Sequence, residues 1–349
     1  MIKEAKPSVR SIAASLDLSP ITVSRVLSGH PRISPETRDK VLDEVKKVGY
    51  DFFSRSKILK RQRDCNVVIH CGEDKLVRDR IFGFYSDLYY RCVKRLHAEK
   101  FHAHLADFNE HADSAFEALD KSNNLILLGP IRESCMKRIR REYPRLPIIS
   151  YGGNTPDVLQ VGCSDFAGGA LAAEKLFEYG HRRVAVLVYL NEEITRKRFG
   201  GFHATFLAKG GEVDSLVFDE VGSLEADDRR RTEILDEYLK RPKKDRGTAF
   251  FCPLGYYALF LTQYLAARDI RIPRDFSIVS YDNFELFDHM NPPLARVWFS
   301  TKDLVIQIVD ALQKFRNSPV ALPASIEIAP VFTMNESLAK NRPSVSSRD

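Results

Sequence analysis

The sequence predicts an α/β protein in two parts, a small all-α headpiece at the N-terminus and a much larger body of parallel sheets covered by helices. Three observations carry this expectation. Short helical patterns, each opened by a serine, fill the first fifty residues. From Asn66 onward, apolar strand-like runs alternate with helical ones. The charge is divided along the same line: residues 1–63 hold fourteen Lys or Arg against seven Asp or Glu, giving +7, and the remaining 39 against 40 give −1. An excess confined to one end is expected where that end meets a polyanion. With 349 residues, 44% hydrophobic and 29% charged, the chain is long enough for two or three domains with real cores.

The headpiece elements follow in order. Ser8 can cap a first helix whose apolar stripe is Val9, Ile12, Ala13 and Leu16. Asp17 tolerates the left-handed conformation a tight turn needs, and Leu18 can plug the corner. Ser19 then caps a second helix with Pro20 at its first position and Gly29 closing it after Ser28. Two short helices across so short a turn make a helix-turn-helix. Ser34 and Pro35 open a third helix, with Val41, Leu42, Val45 and Val48 as its stripe and Gly49 as its stop. On the second helix Val23, Val26 and Leu27 face inward, leaving Pro20, Ile21, Thr22, Ser24, Arg25 and Ser28 outward. Small hydroxyls suit phosphates, and an arginine fork suits the two acceptors of a guanine edge. The plainer alternative is a three-helix adaptor with a solvated basic face.

In the body, strands are expected at 67–70, 103–107, 125–128, 147–150, 184–189, 248–252 and 276–280. Helices are expected at 82–96, 115–119, 167–179, 199–209 and 256–268. Such alternation with apolar strands means parallel sheets buried on both faces, and the length exceeds one comfortable core, so two lobes are expected. The uncharged run from Thr248 to Ala267 has the length of a membrane span, but Pro253, Gly255 and Gln263 make it a strand, a turn and a buried helix. No charged stretch followed by an apolar one opens the chain, so a cytoplasmic protein is expected. Six cysteines without a CxxC pair read as reduced thiols rather than zinc ligands or disulfides. No GxGxxG opens the first helix of the body, and neither a P-loop nor a GxSxG elbow occurs. Neither an enzyme nor a cofactor or metal site is therefore expected.

The run Val9 to Gly29, with its Thr22-Val-Ser-Arg-Val-Leu core, the Ser34-Pro-Glu-Thr-Arg segment and Gly49-Tyr50 behind it, closely resembles the headpiece of the lactose-repressor (LacI/GalR) family. The resemblance extends to about residue 337. It implies a homodimeric, ligand-responsive repressor or activator, with a repressor expected here, bound to a pseudo-palindromic operator. Pro20, Ile21 and Arg25 would read bases, while Thr22 and Ser24 take phosphate-contacting positions; Ser19, Ser28, Arg32 and Lys57 complete the expected DNA contacts. Leu59 matches the hinge leucine that the family drives into the minor groove. Phe52 and Phe53 stand where the family has Pro-Asn, so Ser54 would have to cap the hinge helix. The implied organisation is a headpiece at 1–50, a hinge at 51–64, a periplasmic-binding-protein-like body at 65–340 with lobes dividing near 163 and 290, and a disordered tail at 341–349.

The resemblance also points to an effector cleft between the lobes. Asp165, Arg198 and Asp282 match the aspartate, arginine and aspartate of the family's V-x-x-D, R-x-x-G-F and V-V-G-Y-D stretches. Carboxylates accepting from vicinal hydroxyls, with an arginine donating, suit a carbohydrate. The plainer alternative for each is a charge that caps a helix or turn. The largest departure lies after the 248–252 strand. Where the family has Asn-Asp, this chain has Leu254-Gly255, so Leu254 is expected as an apolar wall that favours a less hydroxylated, modified sugar. The alternative is a regulator without small-molecule sensing, constitutive or answering to a protein partner.

Overall fold

The structure, a computed structural model, describes residues 8–27, 33–48, 50, 65–71, 83–144, 146–152, 155, 158–218, 224–317 and 325–341. Ser28, Arg32, Lys57 and Leu59, the hinge at 51–64 and the stops Gly29 and Gly49 lie outside these residues.

The headpiece is three helices, α1 (Val9–Ser15), α2 (Pro20–Leu27) and α3 (Pro35–Lys47). Each has a serine at its start: the Ser8 hydroxyl accepts from the Ser11 amide at 3.1 Å, Ser19 from Thr22 at 3.0 Å and Ser34 from Thr37 at 3.2 Å. Asp17 turns the corner at φ 53°. Ile12, Ala13, Val23, Val26 and Val41 form the core, with Leu16, Leu18, Val45 and Tyr50 packed around it. The expected stripe of α3 needs one correction. Leu42 is 37% exposed because one helical step carries it about 100° away from the inward Val41, and Val48, past the last turn, is 38% exposed.

The body is two six-stranded sheets. The first contains β1 (Cys65–Cys71), β2 (Phe101–Ala106), β3 (Asn124–Leu128), β4 (Ile148–Tyr151), β5 (Leu159–Cys163) and β11 (Ser325–Ile328), in the order β11-β5-β4-β3-β1-β2 and parallel throughout. The second contains β6 (Arg183–Tyr189), β7 (Glu212–Phe218), β8 (Ala249–Cys252), β9 (Ser277–Tyr281), β10 (Ala295–Trp298) and β12 (Val331–Thr333), ordered β12-β10-β9-β8-β6-β7. Only β12 runs antiparallel to its neighbour there. Helices α4 (Phe84–Ala98), α5 (Ala112–Asp120), α6 (Glu133–Glu142) and α11 (Thr301–Asn317) belong with the first sheet. The second carries α7 (Asp165–Glu178), α8 (Glu193–Ala208), α9 (Leu224–Lys240) and α10 (Gly255–Ala266).

The chain crosses between sheets three times, at 163–165, 298–301 and 328–331. The second crossing comes later than position 290 because β10 still pairs with β9 in the second sheet. Continuous burial along β3 and along the centre of β6 reflects sheets covered on both faces. One apolar cluster runs through both lobes, and each sheet's other face has its own. The segment from Thr248 to Ala267 is β8, a turn and α10, and among the described residues no helix is long and apolar enough to cross a membrane. The five described cysteine side chains are all free.

The contact that shapes the site is the crossing of α7 and α8. A Cβ on Gly169 would overlap the carbonyl oxygen of Arg198, and one on Gly201 would overlap that of Phe166. Only glycine allows the two backbones to touch, and that closeness brings the Arg198 side chain to the first residue of α7, Asp165.

Candidate DNA-binding face and inter-lobe cleft

On α2 the inward side chains Val23 and Val26 are buried, and Leu27 packs against the same core. The outward ones, Pro20, Ser24 and Arg25, are exposed, and Ile21 is 65% exposed, an apolar side chain left in water by a helix with ample partners on its other face. Thr22 is half-buried, its hydroxyl 2.9 Å from that of Ser19. The base-reading candidates Pro20, Ile21 and Arg25 thus share one exposed face, with Ser19 and Ser24 at its margin.

Ligands of open α/β sheets sit beyond the carboxyl ends of the strands, where the strand order reverses. In both sheets that end faces the cleft. Asp165, Arg198 and Asp282 come together there. Arg198 is only 3% exposed: its Nε donates to Asp165 at 2.7 Å and one terminal nitrogen donates to Asp282 at 3.1 Å and to the Pro253 carbonyl at 2.8 Å. Its guanidinium also lies 3.6 Å from the centre of the Tyr281 ring. Burial alone would pull the Arg198 pKa down. The flanking Asp165 and Asp282 outweigh it and hold the group well above its ordinary value, so it stays charged.

Asp282 adopts φ 80°, and its other oxygen accepts from the Gly255 amide at 2.9 Å. This explains the departure at 254–255. The amide at the start of α10 is capped by Asp282 from a neighbouring loop instead of by an acid of its own, and a Cβ at 255 would overlap the Phe284 ring. Leu254 packs half-buried against the second sheet's outer core. It lines neither of the two cavities described next, so the effector wall expected of it is not where the structure opens.

Two cavities flank the Arg198 group. One, about 540 Å³, has walls from both lobes, including Tyr85, Tyr151, Asp165, Glu192 and Arg196. The other, about 490 Å³, is lined by Phe84, Asp87, Asp282, Phe284 and Trp298 among others. Between them stand Phe84, Tyr151 and Phe299, with ring centres 5.9 to 6.4 Å apart. Both volumes fall in the range of small-molecule sites. Sequence reasoning missed Tyr151, Tyr85 and Glu192. Tyr151 closes β4, so its position at a strand end was the available signal. Among the described residues no group of three or more His, Cys, Asp or Glu side chains suits a metal ion.

Comparison with known proteins fits this architecture. Residues 9–51 match the bacterial regulatory proteins of the lacI family, and residues 173–336 match the periplasmic binding protein-like domain. Over 346 residues the chain is 23% identical to the HTH-type transcriptional repressor PurR of Mannheimia succiniciproducens, covering 95% of this chain and 99% of that protein. Among solved structures, a transcriptional regulator CelR–cellobiose complex aligns with TM-score 0.61 and 22% identity, covering 95% of this chain and 99% of that one. A lac repressor dimer bound to operator and the anti-inducer ONPF aligns with TM-score 0.65 and 17% identity, covering 96% and 100%. The fold and the headpiece together define a DNA-binding transcriptional regulator. The headpiece is that of the lacI family of bacterial regulatory proteins, a family of transcriptional regulators.

Proposed function

We propose that this regulator is a dimeric cytoplasmic repressor whose hold on a pseudo-palindromic operator is set by a small ligand, a sugar or modified sugar, in the cleft between its lobes. The observation that carries this is the 540 Å³ cavity with walls from both lobes, because a ligand bridging them favours one relative lobe position over another. Asp165 presents a carboxylate to that cavity, which suits hydroxyl donors, and Asp282 presents one to the other. The domain plan is a headpiece at 1–50, a hinge at 51–64 and the two-lobed body beyond. In this reading Arg25 meets a half-site guanine, Pro20 and Ile21 meet thymine methyls, and Leu59 of the hinge enters the minor groove at the operator centre.

The test is selection of bound genomic fragments by the full chain, followed by anisotropy titrations of the selected duplex over a range of salt, with and without candidate sugars. A steep salt slope and a palindromic consensus are expected, with a sugar changing the affinity at least tenfold. Sequence-indifferent binding would refute operator recognition. A second reading has its own support: Arg198 is already committed to Asp165, Asp282 and Pro253, as in a cleft that carries its own counter-charges. Operator binding unmoved by any sugar would favour that constitutive regulator.

A further inference from the structure

The two walls of the larger cavity differ in what they still lack. Leaving aside Glu192, which has a partner of its own, three carboxylates line it, those of Asp165, Glu193 and Glu327, against the cations of Arg196 and Lys197. Lys197 is held by Glu193 at 2.7 Å, and Arg196 turns a terminal nitrogen to the Leu190 carbonyl at 2.8 Å. Arg198 does not redress the balance, because it is shared between Asp165 and Asp282, one positive charge against two negative in a region almost closed to water. A surplus negative charge in such surroundings is costly unless a cation joins it.

An independent observation comes from the opposite wall. Tyr151 is 6% exposed and lines the cavity, with its hydroxyl among the ionisable groups of Cys163, Tyr85 and Asp165. No hydrogen bond ties that hydroxyl to another described residue, so it is available to a molecule in the cavity its residue lines. The Cys163 thiol already donates a hydrogen bond to Asp165 Oδ1 at 3.2 Å, where Arg198 also donates, leaving Oδ2 as the open acceptor. The Tyr151 hydroxyl, an open carboxylate oxygen and the Tyr85 and Tyr151 rings, 6.5 Å apart, therefore line one space.

We propose that the effector carries a protonated primary amine, seated against Asp165 and the Tyr151 hydroxyl, so that the cleft selects an amino sugar over its neutral parent, its N-acetyl form or any anionic sugar. This rests on the reading of the cleft as a sugar site. The ammonium supplies the missing positive charge, donates to Asp165 and to the phenol oxygen, and presents itself to the tyrosine rings. Acetylation removes the charge and adds bulk, and a phosphate or carboxylate adds the wrong sign.

The experiment is isothermal titration and thermal shift on the full chain with matched sets: glucosamine, galactosamine and mannosamine, their N-acetyl forms, the parent hexoses, the hexose 6-phosphates, glucuronate, and putrescine as an amine without a sugar. The expected result is binding of at least one hexosamine, tenfold or more tighter than its parent and N-acetyl partners, with the preference lost in Asp165→Asn and weakened in Tyr151→Phe. Neutral or anionic sugars binding as tightly as the amines would overturn the amine and leave the sugar reading standing. Putrescine binding without any hexosamine would keep the amine and overturn the sugar. Silence across the whole panel overturns both.

Discussion

The headpiece and the cleft each present an arginine at the place where recognition is expected, and they use it in opposite ways. Arg25 lies on the outward face of α2, exposed beside Ile21 and Ser24. Arg198, at the carboxyl end of the second sheet, is 3% exposed and holds two carboxylates and a carbonyl. The difference teaches that a residue matched to a recognition motif acquires its role from where the fold holds it, on an open helix face or between two carboxylates in the interior. Arg25 stands on the solvent side of α2, where a duplex could reach it. Arg198 has given three hydrogen bonds to its own chain, and its removal should register first as instability.

The largest effect is expected there. Arg198→Ala leaves Asp165 and Asp282 buried without their shared cation, which costs about 3–5 kcal/mol of body stability. Urea denaturation followed by the single tryptophan, Trp298 on β10, reads this directly. A variant as stable as the parent would break the contrast and return Arg198 to the ligand.

Acid should separate the two regions next. His181 is 2% exposed in the body, its Nε2 donating to the Ala339 carbonyl at 3.2 Å and its Nδ1 2.7 Å from the Thr248 hydroxyl. Burial lowers its pKa to about 4. The unfolded chain, with an ordinary histidine near 6.5, binds the proton more readily. This contribution to stability is therefore present above pH 6.5 and is lost as pH falls towards 4, by up to about 3 kcal/mol. Denaturation midpoints at stepped pH, compared with His181→Gln, check it, and a pH-independent parent would sink it.

The same contrast explains what could be read in advance. The headpiece was legible because its signals are local: serine caps, Pro20 and Pro35 at first helical positions, and Asp17 at the corner all act within a few residues of their own place. In the body, strands such as β3 and β6 were visible as apolar runs. Helices α6 and α9 were not, because Arg and Glu crowd their exposed faces and hide a thin inward stripe, Met136 and Ile139 in one, Leu235 and Tyr238 in the other. Strands β10, β11 and β12 are too short to show a period. In the cleft the motifs located Asp165, Arg198 and Asp282. What they could not show is how those three divide their hydrogen bonds, because that depends on close approaches across the fold: Gly169 against Arg198, and Phe284 over Gly255.

A smaller effect sharpens the headpiece side. Arg25→Ala should cost about 1–3 kcal/mol at one half-site guanine and relax base preference there, with affinity for non-cognate duplex changing less. Base-substitution profiling of the selected operator measures it. An unchanged preference at every position would move base reading away from α2.

The smallest effect expected is at Ser19, and it separates two roles that the same side chain could hold. Its hydroxyl accepts from the Thr22 amide and lies 2.9 Å from the Thr22 hydroxyl, so Ser19→Ala removes a helix cap and frees Thr22 at once. Cap removal costs about 1 kcal/mol of headpiece stability. If Ser19 also touches phosphate, Ser19→Ala should weaken binding to every duplex by a similar factor, whereas Ser19→Asp should restore the cap and yet bind worse, because a carboxylate repels the backbone. A cap alone would leave Ser19→Asp both stable and competent. Headpiece melting followed by amide exchange, set beside anisotropy at fixed salt, distinguishes the two, because the cap acts on both readings in Ser19→Ala and a phosphate contact is the only term left in Ser19→Asp.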